Sequence, residues 1–156
     1  MTDTQKEVLQ FIVQTFANNN LEFQVSGGLA TIAHGATRPL YDIDLEIYKK
    51  DVEKVRRLFK EHITEDWNNE PSGPDDQFDI WMMKLEVKGV HVDINQVEDL
   101  YLISKSGERI LQSSIMDTEQ KVLEGIPLPV IKKEALIASK KILARDIDLI
   151  DIEQLS

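Results

Sequence analysis

The chain has 156 residues, 42% hydrophobic and 29% charged, a length and mix that fit one compact soluble domain with its own core. Its 28 acidic residues against 18 basic give a formal net charge of -10, which repels phosphate backbones and argues against a general nucleic-acid binder. Absence of cysteine excludes disulfides and thiolate metal sites, no apolar run is long enough for a bilayer, and MTDTQKEVLQ lacks a signal peptide's basic start and apolar core, so a cytoplasmic protein is expected.

Thr4-x-x-Glu7 has the spacing of a capping box ahead of Val8, Phe11, Ile12 and Phe16, which recur at helical spacing until the Asn18-Asn19-Asn20 run. Leu21, Phe23 and Val25 alternate with polar residues and predict a strand ending at Gly27. A short helix is predicted over 29–34, closed by Gly35, then a loop at Thr37-Arg38-Pro39, because the proline ring disfavours helix at Arg38. A strand is predicted over 42–48. Asp51 can cap a helix that turns Val52, Val55, Leu58 and Phe59 inward and Lys54, Arg56 and Arg57 outward. Residues 63–77, rich in turn formers and acids, read as a mobile loop.

Strands over 78–87 and 90–97 are joined at Lys88-Gly89, a hairpin signal. The stretch 98–125 predicts irregular structure with a short strand near Ile110 and a helix near 117–123. Two prolines restrict 126–130 to an edge or extended segment. Helices over 133–144 and 146–155 end the chain. The whole reads as a mixed α/β (α+β) domain, 1–156, in which 131–156 forms a helical C-terminal portion.

Side chains alternate across a strand, so Ile43, Leu45 and Ile47 share the core face while Asp42, Asp44 and Glu46 share the other. Taken alone, Asp-x-Asp on a strand reads first as a solvated face. The sharper reading is a divalent-cation site, since adjacent carboxylates repel and Mg²⁺ favours oxygen ligands. Val90, Val92 and Ile94 likewise leave His91, Asp93 and Asn95 on one side, where a third carboxylate could complete a two-metal or metal-plus-base site. Gly27-Gly28 follows a strand, where missing side chains let backbone N–H groups approach a phosphate, with the Ser26 hydroxyl beside them; an ordinary tight turn is the plainer reading. Trp81, Met82 and Met83 read as core and sheet face, and His91 as a supporting residue. Lys132, Lys133, Lys140, Lys141 and Arg145 read as a solvated helix face, with a phosphate contact from Lys140 or Arg145 as the sharper alternative.

Strand, Gly27-Gly28, helix, thirteen residues to Asp42, then Asp42-Ile43-Asp44-Leu45 and a later Asp93: this order resembles the nucleotidyltransferase superfamily with the DNA polymerase beta fold. Within it the sequence looks most similar to the small lincosamide and aminoglycoside nucleotidyltransferases, with Arg38 in the place of their arginine before the aspartates. Arg145-x-x-Asp148-x-x-Asp151-x-x-x-Leu155 resembles their C-terminal pattern, with Ile147 where Lys is usual. Leu29 stands where the lincosamide enzymes have Trp, and Leu40-Tyr41 where several relatives have His or Arg.

The resemblance implies an enzyme that moves an NMP, most simply AMP, from NTP to a hydroxyl of a small-molecule acceptor. It implies Asp42, Asp44 and Asp93 as ligands of two Mg²⁺ ions, with Asp93 alternatively the general base. Ser26, Gly27, Gly28 and Arg38 would hold the phosphates, assisted by Lys140 and Arg145. No nucleic-acid or membrane partner is implied, and a homodimer is. The alternative is a non-catalytic nucleotidyltransferase-fold binding module, such as half of a toxin–antitoxin pair.

Overall fold

The computed structural model describes residues 1–69, 77–112 and 116–156. The elements, in chain order, are α1 (Asp3–Asn18), β1 (Gln24–Ser26), α2 (Gly27–Ala33), β2 (Ile43–Ile47), α3 (Val52–Leu58), β3 (Ile63–Asn68), β4 (Phe78–Asp79), β5 (Met82–Val87), β6 (Val90–Gln96), β7 (Tyr101–Ile103), β8 (Arg109–Leu111), β9 (Thr118–Leu123), β10 (Ile126–Ile131), α4 (Lys133–Leu143) and α5 (Asp146–Leu155). A seven-stranded sheet runs β3-β5-β6-β2-β1-β10-β9, and a small sheet runs β4-β7-β8. Among the described residues only the β2–β6 and β1–β10 pairs are parallel.

Register explains the core. Met83, Ile94, Leu45, Val25 and Val130 stand side by side across five strands, and none is exposed. They join one apolar cluster with Val8, Leu9, Ile12 and Phe16 of α1, Val52 and Val55 of α3, and Phe59. Phe16 fills the layer, its ring 4.8 Å from that of Phe23 and 5.9 Å from that of Phe59. A second cluster, of Ile80, Met82, Leu100, Leu102 and Leu143, sits between the small sheet and α4. None of the helices among the described residues is long and apolar enough to cross a membrane.

Several expectations need correction. The first helix is capped two residues earlier, by a reciprocal Thr2–Gln5 box whose hydroxyl and amide each satisfy a free N–H. The first strand keeps only Gln24–Ser26, since Asn20, at φ 52, and Leu21 still belong to the turn that ends α1. Residues 63–68 of the expected loop form β3, paired to β5 through two register shifts; 70–76 lie outside the described residues. The strand expected over 78–87 breaks at Ile80-Trp81, its first part joining the small sheet.

The helix expected near 117–123 is β9. Glu124 (φ 48) and Gly125 (φ 84) turn it back onto β10, so a two-residue hairpin overrides the local helical preference. Strand β10 is internal rather than an edge. N–H directions alternate along a strand, so Pro127 and Pro129, two apart, remove donors from one side only. The ladder to β9 persists, and pairing to β1 is reduced to Val25–Val130. The short strand expected near Ile110 is β8.

Candidate active site

The face of the large sheet opposite α1 carries two polar rows. In the first, Lys84, Asp93, Asp44 and Ser26 are register neighbours on β5, β6, β2 and β1. In the second, two residues further along the strands of Asp44 and Asp93, Met82, Asn95, Glu46 and Gln24 are neighbours. Alternation puts both rows on the same side. Helix α4 and the small sheet roof them, leaving a cavity of about 370 Å³. Asp42, Asp44, Asp93, Ser26, Gly27 and Gly28 all line it, as do Lys140 and Arg145.

Two half-buried carboxylates in adjacent register, with a third close by, should resist ionisation. Burial pushes the Asp44 carboxyl well above its ordinary range, and the charges of Asp93, Asp42 and Glu46 push it further against the pull of Lys140. Burial, then the Asp42 charge, raises Asp93 to about 6, opposed by Lys84 and His91. An all-oxygen donor set under mutual repulsion fits a hard divalent cation, which would relieve that repulsion. Among the described residues, no group of three or more His, Asp and Glu is drawn tightly enough together to hold a metal ion as it stands.

The glycines serve the side chains around them. Gly27 has φ 59, and a Cβ there would overlap Asp44 Oδ2. A Cβ on Gly28 would meet the Arg38 guanidinium at 3.1 Å. Gly27 is therefore required for Asp44 to close on the β1–α2 turn, and Gly28 leaves room for the Arg38 guanidinium to pack against it.

The three basic residues read from sequence are held by α5. Arg38 Nη1 donates to Asp151 Oδ2 at 2.6 Å, and Lys140 Nζ donates to the same oxygen at 2.9 Å. Arg145 donates twice to Asp148, at 2.6 and 3.0 Å, and Lys140 Nζ lies 3.7 Å from that carboxylate. Asp148 and Asp151 have no solvent exposure. Arg38 is absent from the cavity lining and packs behind the glycine turn, 5.7 Å from the Tyr41 ring centroid. In the sequence these two aspartates stand only in a C-terminal pattern; Arg145 is near Asp148 in the chain, but Arg38 and Lys140 reach them from other elements.

No role was assigned from sequence to Glu46 and Asn95 either, although the same two-residue alternation places them beside Asp44 and Asp93. Met82 lines the cavity, Met83 lies in the main core, and Trp81 stacks on Trp67 with ring centroids 6.4 Å apart. His91 is exposed.

No protein-family model and no curated protein matches the sequence. Solved structures do match. A Thermotoga maritima protein described as a nucleotidyltransferase aligns with a TM-score of 0.72 at 18% identity, over 98% of this chain and 93% of that one. The lincosamide antibiotic adenylyltransferase LnuA, with lincomycin bound, aligns at 0.64 and 20% identity over 99% and 96%. ANT(2")-Ia, in complex with adenylyl-2"-tobramycin, aligns at 0.64 and 15% identity over 97% and 87%. The backbone likeness spans nearly all of this chain, and the chain has the nucleotidyltransferase fold.

Proposed function

We propose that this chain is a nucleotidyltransferase that moves an NMP, AMP in the first instance, from NTP to a hydroxyl of a small-molecule acceptor. The observation that carries the reading is the register pairing of Asp44 with Asp93 on a cavity wall, beside a glycine turn shaped around Asp44. Likeness to the adenylyltransferases LnuA and ANT(2")-Ia supports the same reaction class.

In this reaction the acceptor oxygen bonds to the α-phosphorus, the α–β bridging bond breaks, and pyrophosphate leaves. Asp42, Asp44 and Asp93 would hold Mg²⁺, which supplies charge neutralisation for the triphosphate when bound. Asp93 would alternatively act as the base that takes the acceptor's hydroxyl proton, a role that requires hydrogen-bond reach. Ser26 offers a hydroxyl at the β1–α2 turn, and its side chain makes no cap to the helix that follows. Lys140, fixed by two carboxylates of α5, presents its charge to the Asp44 side of the cavity. No covalent enzyme intermediate is needed.

Calorimetric titration with ATP, with and without Mg²⁺, tests the reading, followed by pyrophosphate release against a panel of hydroxylated acceptors. We expect Mg²⁺-dependent binding that Asp44→Asn abolishes, and turnover on at least one acceptor. Binding that ignores both Mg²⁺ and Asp44→Asn would overturn the proposal.

A further inference from the structure

Beyond the carboxylates the cavity continues along the second polar row. Glu46 is 5% exposed, Asn95 is 9% exposed, and both line the cavity. Gln24 Nε2 donates to Glu46 Oε1 at 2.5 Å, which holds that carboxylate in place. Asn95 Oδ1 is sealed without a hydrogen-bond partner, so the atom its amide turns to the cavity is the donor Nδ2. Among the described residues no acceptor takes a bond from that nitrogen. Buried polar groups are paired as a rule, so a nine-tenths buried donor left open on a cavity wall awaits an acceptor from outside the chain. The row therefore presents one donor beside one carboxylate.

Met82 ends the row and opens onto an apolar wall. Ile80, Leu100, Leu102 and Leu143 continue that wall, and all of them line the same cavity. A thioether packs favourably against an aromatic ring, and an apolar wall with a few fixed polar groups is the usual composition of a small-molecule pocket.

We infer that the second row is a nucleobase subsite that selects adenine. Asn95 Nδ2 donates to a ring nitrogen, Glu46 accepts from the exocyclic amine beside it, and the Met82 wall covers the ring. The inference rests on the transfer reaction proposed above for the first row. Adenine carries its N6 amine next to the acceptor N7, the complement of a carboxylate next to an amide N–H. Guanine shows two acceptors, O6 and N7, on that edge, and a carboxylate repels them. Its opposite edge brings two N–H groups that suit a two-oxygen grip, and Gln24 already engages Glu46 Oε1. The spacing agrees. Asn95 and Glu46 lie two residues beyond Asp93 and Asp44, about 7 Å along the strands, a gap of the order that ribose bridges between base and α-phosphate.

Three nucleosides test the subsite without metal or phosphate: adenosine, guanosine, and purine riboside, which keeps the ring nitrogens and lacks the amine. Each is titrated separately into the intact protein, with the Met82 methyl and Asn95 side-chain amide resonances reporting where it binds. We expect adenosine to bind about tenfold or more tighter than either of the others, the value of a hydrogen bond to a charged group. It should shift both signals. Asn95→Leu, which removes the donor at similar side-chain size, should weaken adenosine binding about tenfold. Equal binding of adenosine and purine riboside by the wild type overturns the inference and needs no variant. So does the absence of adenosine binding, an unmoved Asn95 amide, or undiminished affinity in folded Asn95→Leu. Inorganic tripolyphosphate with Mg²⁺ reads the first row without a base. Failure of its Mg²⁺-dependent binding with adenosine selectivity intact would count against the transfer reaction alone. Tripolyphosphate binding without adenosine selectivity would count against this subsite alone.

Discussion

Asp44 occupies the space that a side chain on Gly27 would need: a Cβ built there would lie 2.8 Å from the Asp44 Cγ and overlap Oδ2. Chain turn and carboxylate are thus one steric unit. Gly27→Ala faces two penalties, the left-handed backbone at φ 59 and displacement of Asp44. The backbone penalty alone is about 1–2 kcal/mol. We expect Gly27→Ala to exceed that range in urea titrations, and to fall back toward it in an Asp44→Ala background, where only the 3.1 Å approach to the residue 44 Cβ remains. A double-mutant cycle with no coupling would mean that the turn accommodates both groups independently.

Two ion pairs of equal length should behave in opposite ways. Arg38–Asp151 and Arg56–Asp66 both span 2.6 Å. Asp151 is fully buried and also takes Lys140, whereas Arg56 is half-buried and Asp66 is exposed. Removing Asp151 strands two cations away from water, so Asp151→Ala should cost about 3–5 kcal/mol. Asp66→Ala should scarcely shift the unfolding midpoint, because solvent and salt already screen that pair. Chemical denaturation of the two variants in parallel gives the comparison. A small loss at Asp151 would show that α5 relaxes and lets water reach Lys140.

What was legible in the sequence was local periodicity and its consequences. Alternation placed Asp44 and Asp93 on one face because the period of two is fixed by the pleat, and it carried the carboxylate row without any knowledge of pairing. Helix α1 was readable from its apolar stripe, whereas α5 buries Asp148, Asp151 and Leu155 and leaves Leu149 and Ile150 exposed. Strands that exist only through their neighbours were not. Thr118–Leu123 has mixed polarity, with Val122 exposed, and becomes a strand because Glu124-Gly125 folds it onto β10. The roles of Asp148 and Asp151 were hidden for a related reason. Their meaning lies in Lys140 and Arg38, which are brought to them by tertiary packing.

Asp44→Asn separates a binding role from a structural one. The amide relieves like charge in the first row, so the apo protein should be as stable as wild type or slightly more so. Mg²⁺ with ATP should raise the wild-type melting midpoint by binding the native state and leave the variant's nearly unmoved. Strong destabilisation of the apo variant would instead make Asp44 a structural hydrogen-bonding residue.

The raised carboxyl of Asp93 predicts a slope of stability against pH. Its value in the folded chain is about 6, against 3.8 for the ordinary group. The native state therefore holds the proton more tightly than the unfolded chain. That contribution is fully present below about pH 4 and is lost as pH rises through about 6. Asp44, raised for the same reasons of burial and like charge, adds a slope of the same sign. Asp93→Asn cannot ionise, so its stability relative to wild type should be pH-dependent. We expect the variant's advantage to grow with pH through this window, adding about 1 kcal/mol at neutral pH after allowance for solvent screening. Urea titrations of both proteins from about pH 4 to 8 without divalent cations measure it. Parallel curves across that range would mean that Lys84 and His91 already neutralise Asp93, leaving it an ordinary surface carboxylate.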